Sequence, residues 1–294
     1  MTLLVQVATD SIRARRRPLA VVGLWAWEAA LGLVLGSQVA SVANAAYGRH
    51  PLGDSPLFSA GSLELLDLLR HSASARAPLI SSLVLCAALS HLGGLIPSAA
   101  VLAELGFATP ERRAPSARDA LSCAFAAFPA SVTTSLLASA VQALVLLSGA
   151  ALASATLGSS QLGEPAVDLR VAGVFAVFVL AAGAVGVVAD VARAAIVLHH
   201  CGALDGIEKA AAACRRGPLA IAWSYAWRLA ASWLPVAMGL FVTSRATRQG
   251  AGAIGVILVL HQAIVLVRAA LRTSWMARSL RALRGRLTER AAPY

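Results

Sequence analysis

Apolar and polar stretches alternate along this chain on the scale of whole helices. Six apolar runs, at about residues 19–47, 79–107, 130–155, 170–200, 218–243 and 253–276, are separated by polar segments. A helix needs roughly 20 predominantly apolar residues to cross the hydrocarbon of a bilayer. Each run meets that length, so the pattern predicts an all-α polytopic membrane protein with six transmembrane helices in a single transmembrane domain, residues 1–294. The third run begins at 121 and is too long for one straight span. Pro129 is expected to split it into an interfacial helix and a span over 130–155. Gly93, Gly94 and Pro97 in the second run permit a kink or a close helix contact.

The polar segments carry further elements. Residues 48–78 form the longest, with Pro51, Gly53, Asp54 and Pro56 marking a loop. Within it Leu63, Leu66 and Leu69 recur at helical spacing behind Ser62, which predicts a short amphipathic helix over 62–72, on the membrane surface or against the spans. Residues 202–217 form an amphipathic connector with Asp205, Glu208, Lys209, Arg215 and Arg216. At the end of the chain Arg272, Arg278, Arg281, Arg284, Arg286 and Arg290 stand beside Leu280, Leu283 and Leu287. This predicts a basic cytoplasmic tail over 277–294, lying as a surface helix against anionic headgroups. At the start, Arg13–Arg17 before an apolar run and Ala43-Asn44-Ala45 after it resemble a secretory leader. The run is about 29 residues long and holds Glu28 and two tryptophans, which favours a retained first span.

Charge sets the expected orientation. With the N-terminus in the cytoplasm, and with Arg170 and Arg272 at the run edges counted with the outer and inner segments they border, the inner segments hold 16 basic residues and the outer segments 6, with 3 more inside the runs. Basic residues accumulate on the cytoplasmic side, so N- and C-termini are both expected inside.

Composition agrees with membrane embedding. The 294 residues are 58% hydrophobic and 13% charged, with a mean hydropathy of +0.73. A soluble core of this size cannot hide so much apolar surface. The net charge of +11 would suggest nucleic acid in a soluble protein; here basic residues serve topology and headgroup contacts, and no nucleic-acid partner is expected. Arginine outnumbers lysine 24 to 1, which points to a GC-rich genome and hence to a bacterial inner membrane. The four cysteines, Cys86, Cys123, Cys201 and Cys214, make no CxxC pair, and three fall at predicted cytoplasmic positions, so no disulfide framework is expected.

The candidate chemistry lies in charges inside apolar runs. Glu28, Asp190, Arg193, Arg228 and Arg268 form a predicted intramembrane charged cluster. Each such charge costs roughly 2.5–3.5 kcal/mol on insertion scales, so it needs a partner or a purpose. Asp190 and Arg193 are three residues apart and share a helix face. At 1.5 Å rise per residue, Glu28 and Arg228 lie about 14 Å from the cytoplasmic edge, Asp190 about 12 Å and Arg268 about 10 Å. The set either pairs as structural glue or lines a polar cavity for an anionic or proton-coupled substrate; some of its members can also reach interfacial water. Runs one and five share a pattern: Pro18-Leu19-Ala20-Val21 matches Pro218-Leu219-Ala220-Ile221, and Trp25-Ala26-Trp27-Glu28 matches Tyr225-Ala226-Trp227-Arg228. This suggests a repeat, with Glu28–Arg228 as an expected contact. His261 and Gln262 can join the polar set. His199, His200, Cys201 and Cys214 fit no compact zinc spacing. There is no phosphate loop, metalloprotease motif or nucleophile elbow, so no catalytic residue, cofactor or metal is expected.

Around Asp190 the chain resembles six-span bacterial membrane proteins that carry Asp-aromatic-Ala-Arg late in span four and a proline opening span five. The matching residues are Asp190, Ala192, Arg193 and Pro218, with Val191 replacing the aromatic, and Gly93-Gly94 matches a Gly-Gly late in span two. Such proteins look related to the membrane domain that accompanies glycerophosphodiester phosphodiesterases. The resemblance brings no activity, and this chain lacks the phosphodiesterase catalytic domain. The expected function is a non-enzymatic transport-related or membrane-organising module, working in the bilayer with protein subunits or as a homo-oligomer. The alternative is the permease of an ABC-type transporter, since Ala211-Ala212-Ala213 followed by Gly217 resembles a coupling loop, though without its glutamate.

Overall fold

The structure is a computed structural model that describes residues 18–47, 80–81, 84–107, 115–158, 164–245 and 251–284. The helix expected over 62–72 lies outside these residues. Among the described residues every regular element is helical. In chain order they are α1 (Pro18–Tyr47), a π-helical turn (Leu89–Gly93), α2 (Leu95–Phe107), α3 (Ala117–Gly158), α4 (Glu164–His199), α5 (Ala203–Arg216), α6 (Pro218–Arg245) and α7 (Ala251–Leu283). Three stretches among the described residues are long and apolar enough to cross a membrane: Val84–Phe107, Ala117–Ala155 and Leu169–His199.

The distribution of side chains is that of a membrane-embedded chain. Leu144, Leu147, Val177, Leu180, Trp233 and Val259 all point outward, each more than 60% exposed. The buried set is instead rich in Ala and in hydroxyls: Ser98, Ser131, Thr134, Ser135, Thr273 and Ser279. Water would penalise such an exterior, whereas lipid solvates it, and small interior residues let helix backbones approach.

The chain divides into two compact units. Of the described residues, the first holds those within 99–226 and 275–284; the second holds those within 18–98 and 227–274. In the first, α3 and α4 form the main seam. Gly149 of α3 faces the Phe178 ring so closely that a Cβ there would lie 2.6 Å from Cγ. Gln142 Nε2 donates to Ala182 O at 2.9 Å, giving the amide a partner on the neighbouring helix. α5 folds back on α4 through its Gly206, Ala210 and Ala213 stripe, spaced one helical turn apart, while Asp205, Glu208 and Lys209 face outward. Asp205 in its first turn and Arg215 and Arg216 in its last complement the helix dipole.

Two expectations are corrected. Pro129 does not split the third run: α3 continues through it for 42 residues. Proline removes one backbone donor, but the helix stays closed on both sides, with Thr133 and Thr134 hydroxyls donating back to the Pro129 and Ala130 carbonyls at 3.0 and 2.9 Å. Nor is 277–283 a surface helix. These residues are the last turns of α7, and Arg278, Ser279, Leu280 and Ala282 are buried in the first unit.

The start of α3 shows how local sequence sets a boundary. Ser116 Oγ accepts from the Asp119 amide at 3.2 Å while Asp119 Oδ2 accepts from the Ser116 amide at 3.3 Å, a reciprocal cap. Ser116→Ala is expected to cost about 1 kcal/mol in unfolding measurements on the solubilised protein. A loss below the error of the measurement would show that packing alone holds this helix start.

Candidate functional site

Asp190 stands two and a half turns before the end of α4, in a stretch of small residues. Ala189, Val191, Ala192, Ala194 and Ala195 around it are all buried. Their size lets α5 and α7 close on α4, and a shared core forms from Val187, Val191, Ala192, Ala210, Ala213, Ile221, Trp275 and Ala282. Asp190 and Arg193 lie at the edge of that core. Arg193 Nη2 donates to Asp190 Oδ1 at 2.7 Å, and Arg193 Nε donates to Ala189 O at 3.3 Å. Trp275 of α7 donates its indole Nε1–H to Asp190 Oδ2 at 2.9 Å. Tyr225 meets Trp275 edge-on, with ring centroids 5.1 Å apart. Both carboxylate oxygens are therefore engaged, one by a guanidinium and one by an indole, and both bonds are charge-assisted. The side chain keeps 32% exposure.

The second unit holds the other charges. Glu28 Oε1 lies 3.6 Å from Arg272 Nη1, with Arg272 40% exposed. Arg228 is buried, and its Nε and Nη2 both donate to Ser274 Oγ, at 3.2 and 3.1 Å. Its guanidinium carbon sits 4.6 Å from the Trp227 ring centroid, a cation–π placement. Trp27, next to Glu28, lies against Gly93 and Gly94; a Cβ on Gly93 would come within 2.6 Å of its ring. The Gly-Gly pair thus serves as a seat for an indole at the end of the π-helical turn.

Of the five predicted residues, Asp190 and Arg193 are joined as expected. The contacts seen for Glu28 and Arg228 run to Arg272 and Ser274, neither of which the expected Glu28–Arg228 contact involves. Arg268 lies on an exposed face of α7, and seven residues, about 10 Å of rise, separate it from Trp275. The sequence pattern ends this run at 276, but α7 runs seven residues further, to Leu283. His261 is exposed, and Gln262 Oε1 is buried without a hydrogen-bond partner among the described residues. Trp275, Arg272 and Ser274 were missed as site residues. A tryptophan near the end of an apolar run reads as an interfacial anchor, and nothing local shows that its indole meets a carboxylate 85 positions earlier.

The 3.6 Å separation and exposure of the Glu28–Arg272 pair mark it as a weak contact. Glu28→Gln is expected to change stability by less than about 1 kcal/mol; a larger loss in thermal unfolding would mean that Glu28 holds a second partner.

Among the described residues no group of three or more His, Cys, Asp or Glu side chains is placed to hold a metal ion. His200 instead stacks on Phe107, centroids 5.7 Å apart, with φ of 50° just past the end of α4. Comparison with protein-family models, with curated proteins and with solved structures gives no match to this chain.

Proposed function

We propose that this chain is a non-enzymatic membrane-organising module of a bacterial inner membrane. All six apolar runs cross the bilayer, with both termini in the cytoplasm. The observation that carries the reading is the engagement of Asp190. Each Asp190 oxygen accepts from a partner in the same chain, Arg193 on its own helix and Trp275 on α7, which supports a holding role for this carboxylate. The Asp190–Trp275 bond then fixes α4 against α7, and the outward Leu, Val, Phe and Trp faces meet lipid or neighbouring subunits. Support for six spans comes from the helices found over every apolar run and from the basic-residue asymmetry.

A second reading, transport, rests on the 32% exposure that Asp190 retains. One experiment separates topology and one separates function. In a cysteine-free background, a thiol at position 54 is expected to react with impermeant reagent from outside and one at 208, on the exposed face of α5, only from inside. The opposite pattern inverts the orientation. Proteoliposomes carrying the protein are expected to pass protons no faster than empty vesicles; a flux abolished by Asp190→Asn would establish transport in place of organisation.

A further inference from the structure

Charges bracket α4 at a spacing that sets where it leaves the membrane. Arg170 and Asp190 stand on either side of 19 uncharged residues. Twenty steps of 1.5 Å make about 30 Å, one thickness of bilayer hydrocarbon. α4 runs nine residues further, to His199, and its two portions are built differently. Among its described side chains, the exposed large apolar ones all lie between Leu169 and Leu180. From 191 to 197 every residue except Arg193 is buried. α3 changes at the same level. Its Gln142 meets Ala182, and over 136–155 it exposes six large apolar side chains, but over 117–135 two, Leu121 and Phe125.

α5 shows what surrounds the last portion of α4. It follows after a short turn and runs back beside α4. A Cβ on Gly206 would lie 2.7 Å from Ile196 Cγ1 and 3.2 Å from Ala192 O, and Ala210 and Ala213 share one core with Val187 and Val191. α5 thus flanks α4 over about residues 187–196. Its other face carries Asp205, Glu208, Lys209, Arg215 and Arg216, all exposed. Charged side chains turned toward hydrocarbon are costly, and five of them on one 14-residue helix exclude a lipid-facing position. The outer face of α5 therefore meets water or headgroups along the stretch of α4 that holds Asp190. We propose that the hydrocarbon ends on α4 at the level of Asp190. The Asp190–Trp275 site then belongs to a water-facing cap built from the last turns of α4, α5 and the last turns of α7, whereas the apolar run alone would bury Asp190 about 12 Å inside the bilayer. The site is open to the aqueous compartment where α4 ends, and α5 presents its charged face there. This holds for either orientation and any number of spans, and it rests only on α4 crossing the bilayer.

The test is a nitroxide scan of the full chain in phosphatidylcholine vesicles, with single cysteines at exposed positions of α4 and α5 in a cysteine-free background. Each label is read by its collision rates with oxygen, which concentrates in hydrocarbon, and with a water-soluble nickel chelate. On α4 the oxygen-to-chelate ratio is expected to peak at position 180, midway between Arg170 and Asp190, and to fall by position 184, about 6 Å nearer the edge. A span over the entire run, 170–200, would instead peak at 184 or beyond. On α5, labels at 208 and 216 are expected to meet chelate several-fold more often than the label at 180. A ratio at 184 equal to or above that at 180, or a label at 208 or 216 as shielded from chelate as that at 180, overturns the proposal and leaves α4 a span. Labels at 177 and 180 that meet chelate as freely as that at 208 show that α4 does not cross, and overturn both. Should the cysteine-free chain fail to fold, a fluorescent unnatural amino acid at the same positions, quenched by bromine at graded depths in the acyl chains, gives the same profile and is judged by the same outcomes.

Discussion

Asp190→Ala is expected to lower the unfolding free energy of the solubilised protein by about 2–3 kcal/mol. Breaking a buried ion pair costs about 3–5 kcal/mol because the remaining charge is left uncompensated. One-third exposure of the Asp190 side chain reduces that, since water reaches one edge of the pair. The same substitution strips the Trp275 indole of its acceptor at a site where the tryptophan is only 6% exposed. Trp275→Phe isolates that bond and is expected to cost about 1.5–3 kcal/mol, the range for hydrogen bonds to charged groups. The two losses share one interaction, so the double variant should lose clearly less than their sum. A double-mutant cycle by denaturant titration in mixed micelles measures this directly. Additivity within about 0.5 kcal/mol would show that Asp190 and Trp275 do not couple and would remove the link between α4 and α7.

Gly149→Ala carries the second large effect, and it acts through volume alone. The added methyl would sit 2.6 and 2.7 Å from Phe178 Cγ and Cβ, distances that real Cβ atoms do not show. The α3–α4 seam must then spread or Phe178 must leave its position. Overpacking of this kind costs about 1–3 kcal/mol. Phe178→Ala should be destabilising alone yet milder in the Gly149→Ala background, because it removes the atoms that clash. Thermal unfolding of the three variants checks this. If Gly149→Ala is neutral, the close approach of α3 and α4 at this level is absent in the bilayer.

Helix content was legible because it follows from local chemistry. Long apolar runs have to satisfy their backbone groups internally wherever they leave water, and helices do so within each segment. The boundaries at Pro18, Ala117 and Pro218 follow from local signals too: proline suits a first helical turn, and Ser116 with Asp119 makes a reciprocal cap. The Asp190–Arg193 bond was legible for the same reason, since residues at i and i+3 are neighbours in any helix. Pro129 was misread as a break because a proline's disruption is a local cost that packing along a long helix can override.

The site as a whole was less legible than its first pair. Ending the sixth run at 276 placed Arg268 with the intramembrane charges and Arg278 on a surface. Yet α7 continues through Leu283, Arg268 faces outward, and Arg278 is buried. An arginine beyond an apolar run carries the same local signature whether it faces headgroups or a neighbouring helix. The sequence by itself determined an all-helical, membrane-embedded chain and one ion pair, since periodicity and hydropathy act over a few turns. Only the tertiary structure decided that Trp275 completes the Asp190 site, that Arg272 faces Glu28, and that Arg278 is buried. Those facts depend on which faces meet across tens of residues, and small residues such as Gly149, Gly206 and Ala192 set that meeting by how closely they let backbones approach.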